Sequence, residues 1–259
     1  MAPRVGTACT EPPVDHAAAM GEALMLARSM QGHVWPNPPV GCVIVRDGRV
    51  VGRGRTQVGG RPHAERVALD DAGPAARGAT LYVTLEPCCH YGKTPPCADA
   101  IVAAGVARVF ASLQDPDPRV NGGGFRRLRE AGVAVEIGAG ADEARQIMAG
   151  FFHRIAHGRP LITLGDALRP RRGVPDGFDG VLHSDHRGVH LLTRSGGDDR
   201  VANHPPLGTA APLLALLGAR GLTSLYVPLN DPLAQTLSPV STNERHEPRT
   251  CDQISAPVF

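Results

Sequence analysis

The stretch "TLEPCCHYGKTPPC", residues 84–97, holds three of the chain's six cysteines, a histidine and its only lysine, set among prolines. Three arrangements suit such a cluster: a disulfide clasp, a structural zinc knuckle, or the rim of a metal-activated active site. The start of the chain, "MAPRVGTACTEPPVDHAAAM", has no apolar run of signal-peptide length, and no later segment approaches a membrane-spanning length, so a soluble cytoplasmic protein is expected. In a reducing compartment clustered cysteines hold metal or do chemistry more often than they bridge, which sets the clasp aside.

Upstream of the cysteines, "GGRPHAERVAL" opens a predicted helix with His63 and Glu65. Residues two apart in a regular helix point roughly 200° from each other, so both can address one metal only where the helix is just starting. One imidazole and two thiolates would leave a tetrahedral cation with one open position, the pattern of catalytic zinc. A cation of this kind lowers the pKa of bound water from about 15.7 to about 7, and Glu65 would carry protons. Cys88 and Cys89 are neighbours whose side chains diverge in an extended segment, so one metal takes only one of them, and spacing does not choose which. Cys97 opens a helix, where the N-terminal dipole favours a thiolate.

Outward from this centre the pattern alternates up to about residue 157. "DHAAAMGEALMLARSM" spaces Met20, Ala23, Leu24, Ala27 and Met30 as one helical face, with Asp15 as its cap. "VGCVIVRDGRVVGRGR" predicts two strands around an Asp47–Gly48 turn. Strands at "ATLYVTLE", "VARVFASL" and "VAVEI" then alternate with helices from about His63, over 96–104, at "FRRLREAG" and over 142–157. A hairpin followed by strand–helix repeats predicts a mixed sheet with helices on both faces, and active sites in such sheets lie beyond the carboxyl ends of the strands. The cysteine loop follows one of those ends.

A composition of 42% hydrophobic and 20% charged residues over 259 positions is globular. A net charge of +2 and 4% aromatic content supply neither a basic field nor stacking platforms, which excludes nucleic acid as the default partner.

"HAE" (63–65), "EPCCHYGKTPPC" (86–97), "PNPPVGCVIV" (36–45) and "DPDPRVNGGGFRRLREAGV" (115–133) together resemble the deaminase half of the bifunctional riboflavin-biosynthesis pyrimidine deaminase/reductases, in the cytidine-deaminase-like superfamily. The resemblance runs from about Ala18 to Arg159. It implies a three-layer α/β/α mixed sheet, one zinc ion on His63, Cys88 and Cys97, and Glu65 as proton shuttle. The superfamily signature separates its two cysteines by two residues, and the longer loop here resembles the riboflavin deaminases more closely. The implied reaction converts 2,5-diamino-6-(5-phosphoribosylamino)pyrimidin-4-one to 5-amino-6-(5-phosphoribosylamino)uracil with release of ammonia. Asn37 matches a position that contacts the pyrimidine, and Lys93 and Asp115 match positions that hold the phosphoribosyl arm. A small phosphorylated pyrimidine, a homo-oligomer and a separate reductase are the partners implied, with no nucleic acid and no membrane.

Two positions depart from the family pattern. Thr56 and Val67 stand where the family usually has histidine and a histidine or asparagine, which keeps another nucleobase or nucleoside as an alternative substrate. A catalytically inactive zinc-stabilised binding module is a further alternative. The organisation expected is a flexible N-terminus over 1–14, a deaminase domain over 15–158, a truncated remnant of a dihydrofolate-reductase-like domain over 159–232 and a disordered tail over 233–259. Gly165 replaces the lysine expected in the remnant's entry strand, and Pro228, Leu229 and Asn230 replace its Glu-Gly-Gly loop, so NADPH binding is not expected.

Of the other candidates, Cys42 is expected to be a small buried side chain, and Cys9 and Cys251 free thiols in the tails. His183, His186 and His190 lie in "VLHSDHRGVHLL", which predicts strand, turn, strand rather than a second metal site. Trp35 could stack on a bound base or wedge the first helix against the hairpin. A closed knuckle would recruit Cys89 or His90 as a fourth ligand, but would have no use for Glu65.

Overall fold

The computed structural model of the chain describes residues 15–92, 94–165, 173–203 and 210–241. Asp15 caps α1 (His16–Arg28) by accepting the amides of Ala17 and Ala18 at 3.0 and 3.2 Å. The apolar face of α1 is buried over β1 (Gly41–Arg46). β1 turns into β2 (Arg49–Arg55) through Asp47 and Gly48, whose φ values of 49° and 77° are those a two-residue hairpin turn requires.

The first sheet has the order β2-β1-β3-β4-β5, with β3 (Thr80–Val83), β4 (Arg108–Ala111) and β5 (Ala134–Ile137) parallel and β1 antiparallel to both its neighbours. α2 (Ala64–Ala72), α3 (Cys97–Ala104) and α4 (Gly123–Glu130) pack side by side, and α1 packs with α5 (Ala141–Ile147), which gives the three layers. A Cβ on Gly54 of β2 would lie 2.0 Å from the Ala64 carbonyl oxygen, so the bare glycine lets the first turn of α2 rest directly on the sheet.

The helix expected over 142–157 is two helices. Met148 (φ −102°, ψ 14°) separates α5 from α6 (Ala149–His157), and α6 is steered onto the second sheet, where a Cβ on Gly150 would meet the Thr223 carbonyl oxygen at 2.7 Å.

That second sheet comprises β6 (Leu161–Gly165), β7 (Gly180–Asp185), β8 (Gly188–Thr193), β9 (Asp198–Ala202) and β10 (Ser224–Pro228), in the order β6-β10-β7-β8-β9. β10 is parallel to β6 and β7, and β7, β8 and β9 form an antiparallel meander. The expected strand–turn–strand at 181–192 forms, while β9 is a strand that the charged residues Asp198, Asp199 and Arg200 do not announce, as suits an edge. α7 (Ala211–Ala219) buries Leu213, Leu214 and Leu217 against Leu182, Leu225 and Val227. α8 (Leu233–Leu237) adds Leu233 and Leu237 to that core, which corrects the expected boundary at 232: leucines four apart make one more turn of helix worth burying. The expected flexible stretch 1–14, Cys9, Cys251 and Lys93 lie outside the described residues. Among the described residues no helix is long and apolar enough to cross a membrane.

Candidate metal-dependent active site

Three segments of the first sheet converge beyond the carboxyl end of β3. His63 caps α2 in an extended conformation (φ −71°, ψ 158°), Cys97 is the first residue of α3, and Cys88 lies in the loop that joins β3 to α3. His63 Nδ1 is 3.7 Å from Cys88 Sγ and 3.5 Å from Cys97 Sγ, and the three ligand atoms lie within 4.8 Å of one another. Tetrahedral bonds of about 2.0–2.1 Å to nitrogen and about 2.3 Å to sulfur set that nitrogen–sulfur separation at about 3.6 Å, so the donor set fits zinc as it stands.

Among the described residues no other His, Cys, Asp or Glu joins the cluster. Cys89 turns away, with its Sγ 3.6 Å from the Arg119 carbonyl oxygen. The closed knuckle with Cys89 or His90 is therefore not what these residues form. Cys42 is fully buried in β1, and burial pushes its thiol up.

The electrostatics of the cluster favour a bound cation. Cys88 is held down to about 4, first by the Cys97 thiol and then by the His63 imidazole, and it also accepts the Cys97 amide at 3.3 Å. Cys97 is pushed up, chiefly by its hydrogen bond to Cys88 and then by burial. A divalent cation held by His63, Cys88 and Cys97 would favour both cysteines as thiolates. Glu65, 4% exposed on the first turn of α2, is pushed up to about 7 by burial, with the Cys88 charge adding and His63 opposing.

A cavity of about 400 Å³ opens over the cluster, and Asn37, Thr56, His90 and Asp115 are among its walls. Asn37 donates from Nδ2 to the Gly60 carbonyl at 2.6 Å. Asp115 is 7% exposed and pushed up to about 6, first by burial and then by the carboxylates of Asp117 and Glu86, against the Asp117 amide it accepts. Thr56 accepts the Val40 amide and donates to the Pro38 carbonyl, both at 3.1 Å, so its hydroxyl ties β2 to the segment carrying Asn37. Val67 is not among the residues lining the cavity.

Two residues that the sequence did not single out also shape the site. Glu86, 3% exposed, accepts the amides of Asp115 and Gly122 on Oε2 and those of Gly124 and Phe125 on Oε1, at 2.8–3.2 Å. One carboxylate thus starts α4 and fixes the loop that carries Asp115. Arg154 of α6 reaches the cavity from the second sheet's side and donates from Nη2 to the Pro36 carbonyl at 3.2 Å. Trp35 packs against the hydrophobic core of the second sheet and is not among the residues lining the cavity.

Residues 13–113 match the cytidine and deoxycytidylate deaminase zinc-binding region. The riboflavin biosynthesis protein RibD of Escherichia coli is 48% identical over 200 residues, which cover 76% of this chain and 53% of the relative. The chloroplastic riboflavin biosynthesis protein PYRD of Zea mays is 36% identical over 225 residues, covering 83% and 57%. The chain spans about half the length of the curated relatives it matches. Among solved structures, the diaminohydroxyphosphoribosylaminopyrimidine deaminase/5-amino-6-(5-phosphoribosylamino)uracil reductase of Thermotoga maritima superposes with a TM-score of 0.71 at 26% identity, over 87% of this chain and 84% of that one. The second sheet resembles the reductase half of such proteins.

Proposed function

Because this chain belongs to the riboflavin-biosynthesis deaminase/reductase family, we propose that it is a zinc-dependent deaminase of a phosphoribosylated diaminopyrimidinone that releases ammonia and the corresponding uracil. The observation that carries this is the approach of His63, Cys88 and Cys97 to tetrahedral zinc spacing with Glu65 buried beside them. These three residues would hold the metal, and zinc so bound supplies Lewis acidity that brings water's pKa down to about 7.

Glu65 does the proton work. A carboxyl at about 7 can take a proton from water and place it on the ring nitrogen, then take the proton of the hydroxyl left on the ring carbon and deliver it to the amine as the C–N bond breaks and the carbonyl forms. Asn37, with an amide that both donates and accepts, orients the base, and Asp115 accepts hydroxyls of the ribose. Lys93 completes the phosphate contacts in this proposal.

The reductase step is lost in this proposal, and a separate reductase takes up the product. The ring of Tyr226 fills the space of a side chain at 165, its Oη 2.3 Å from where a Cβ would stand, so the lysine expected there has no room without displacing it. Saturable NADPH binding in a titration would refute this part.

A second substrate, another nucleobase or nucleoside, is favoured by Thr56, whose hydroxyl is committed to the backbone where the family usually presents an imidazole. Metal content measured beside ammonia release on a panel of bases, nucleosides and the diaminopyrimidinone phosphate tests both. Zinc-loaded protein that deaminates none of them would refute the enzymatic assignment.

A further inference from the structure

We propose that Arg154 is a specificity-determining residue of this pocket: it reaches from α6 across the junction of the two sheets to receive the anionic arm of the substrate, and the second sheet holds it in place. The inference rests on the deaminase function proposed above and adds to it a reason for the second sheet to persist beside the site.

The junction is tight. Trp35 packs on the second core, and a Cβ on Gly221 (φ +97°), in the turn between α7 and β10, would lie 2.7 Å from Pro36 Cβ. Gly32 is pressed as closely against the Phe178 backbone, and Gly150 against Thr223. The segment 32–38, which carries Asn37, is therefore clamped between the two sheets, and the 219–221 turn forms part of the cavity wall.

Arg154 stands at that clamp with a charge that nothing nearby neutralises. Its Nε is buried without a hydrogen-bond partner, and among the described residues it makes no ion pair. The carboxylates that attract it are already engaged: Asp117 by Arg119, and Asp179 by the amides of Thr223 and Ser224 and the Thr223 hydroxyl. Burial lowers its pKa, as expected of a desolvated cation short of counter-charge. An unsatisfied buried guanidinium atom beside a polar cavity points to an anionic ligand there, and a guanidinium suits a phosphate ester.

Two measurements test the proposal. In steady-state assays on zinc-loaded protein, Arg154→Ala should raise KM for the phosphorylated substrate about tenfold or more, with kcat within about twofold. It should leave the dephosphorylated substrate unaffected, and Arg154→Lys should recover part of the loss. Independently of turnover, ribose 5-phosphate should change the fluorescence of Trp35, the chain's only tryptophan, and Arg154→Ala should weaken that binding by a similar factor. Equal losses on both substrates, an unchanged KM, or no saturable ribose 5-phosphate binding to the unsubstituted chain would overturn the proposal. Deamination with KM indifferent to Arg154 would leave the deaminase function standing, whereas Arg154-dependent ribose 5-phosphate binding without deamination would remove that function and keep the anion site.

Discussion

Both sheets have five strands and both have buried carboxylates beside them, yet they use them differently. In the second sheet, Asp179 accepts two amides and a hydroxyl, and Asp231 accepts the Ser184 and Leu233 amides and the Ser184 hydroxyl. These charges are consumed in holding loops. In the first sheet Glu86 is consumed in the same way, but Glu65 lies beside His63, Cys88 and Cys97 and is lifted to about 7, chiefly by burial. A buried carboxylate with a full set of amide donors is structural, and one without them remains free to move protons.

The sharpest way to break this contrast is at Glu65. Glu65→Gln should lower ammonia release by about 10²- to 10⁴-fold while zinc, measured by elemental analysis, stays bound. Activity near the parent level would remove Glu65 from the chemistry.

Glu86→Gln should act on stability first. Exchanging one carboxylate oxygen for an NH2 leaves two of the four amides facing a donor instead of an acceptor and should cost about 1–3 kcal/mol or more in urea unfolding, with metal content kept. A loss of turnover with unchanged stability would instead make Glu86 chemical.

Asp115 gives a pH-dependent test. Its folded pKa of about 6 exceeds the ordinary 3.8, so the folded state prefers the neutral acid. That stabilisation is complete below about pH 3.8 and is lost as pH rises through about 6. Asp115→Asn keeps the neutral form, so its melting temperature should exceed the parent's by a few degrees at pH 8, and the difference should shrink at pH 5. A gap that is constant with pH would mean that Asp115 carries no such penalty.

The smallest effect belongs to the meander of the second sheet. His183 pairs with Asp198 at 2.9 Å, and the aspartate side chain is 49% exposed. Asp198→Asn should change stability by less than about 1 kcal/mol and leave zinc and turnover as they were. A large loss of activity there would show that the second sheet influences the site by more than the junction at Pro36.

Much of the first sheet was legible because its signals are local. The Asp47–Gly48 turn, the Asp15 cap and the placement of His63 at a helix start each depend on residues a few positions apart. Glu86 and Arg154 were not legible, since the amides that hold Glu86 come 29 to 39 residues later and the carbonyl that holds Arg154 comes 118 residues earlier. The break at Met148, the edge strand β9 and the helix α8 likewise follow from packing on the second sheet rather than from propensity.

The order of residues along the chain determined the kinds of donor, the helix starts that would present them and the strand ends they would follow, because periodicity and turn chemistry act over a few positions. Only the folded molecule decided that Glu86 accepts four backbone amides from the 115–125 segment, that Glu65 is buried beside the His63–Cys88–Cys97 cluster, and that a second sheet closes the cavity at Pro36. Those outcomes depend on direction and burial, which arise when distant segments exclude water from one another.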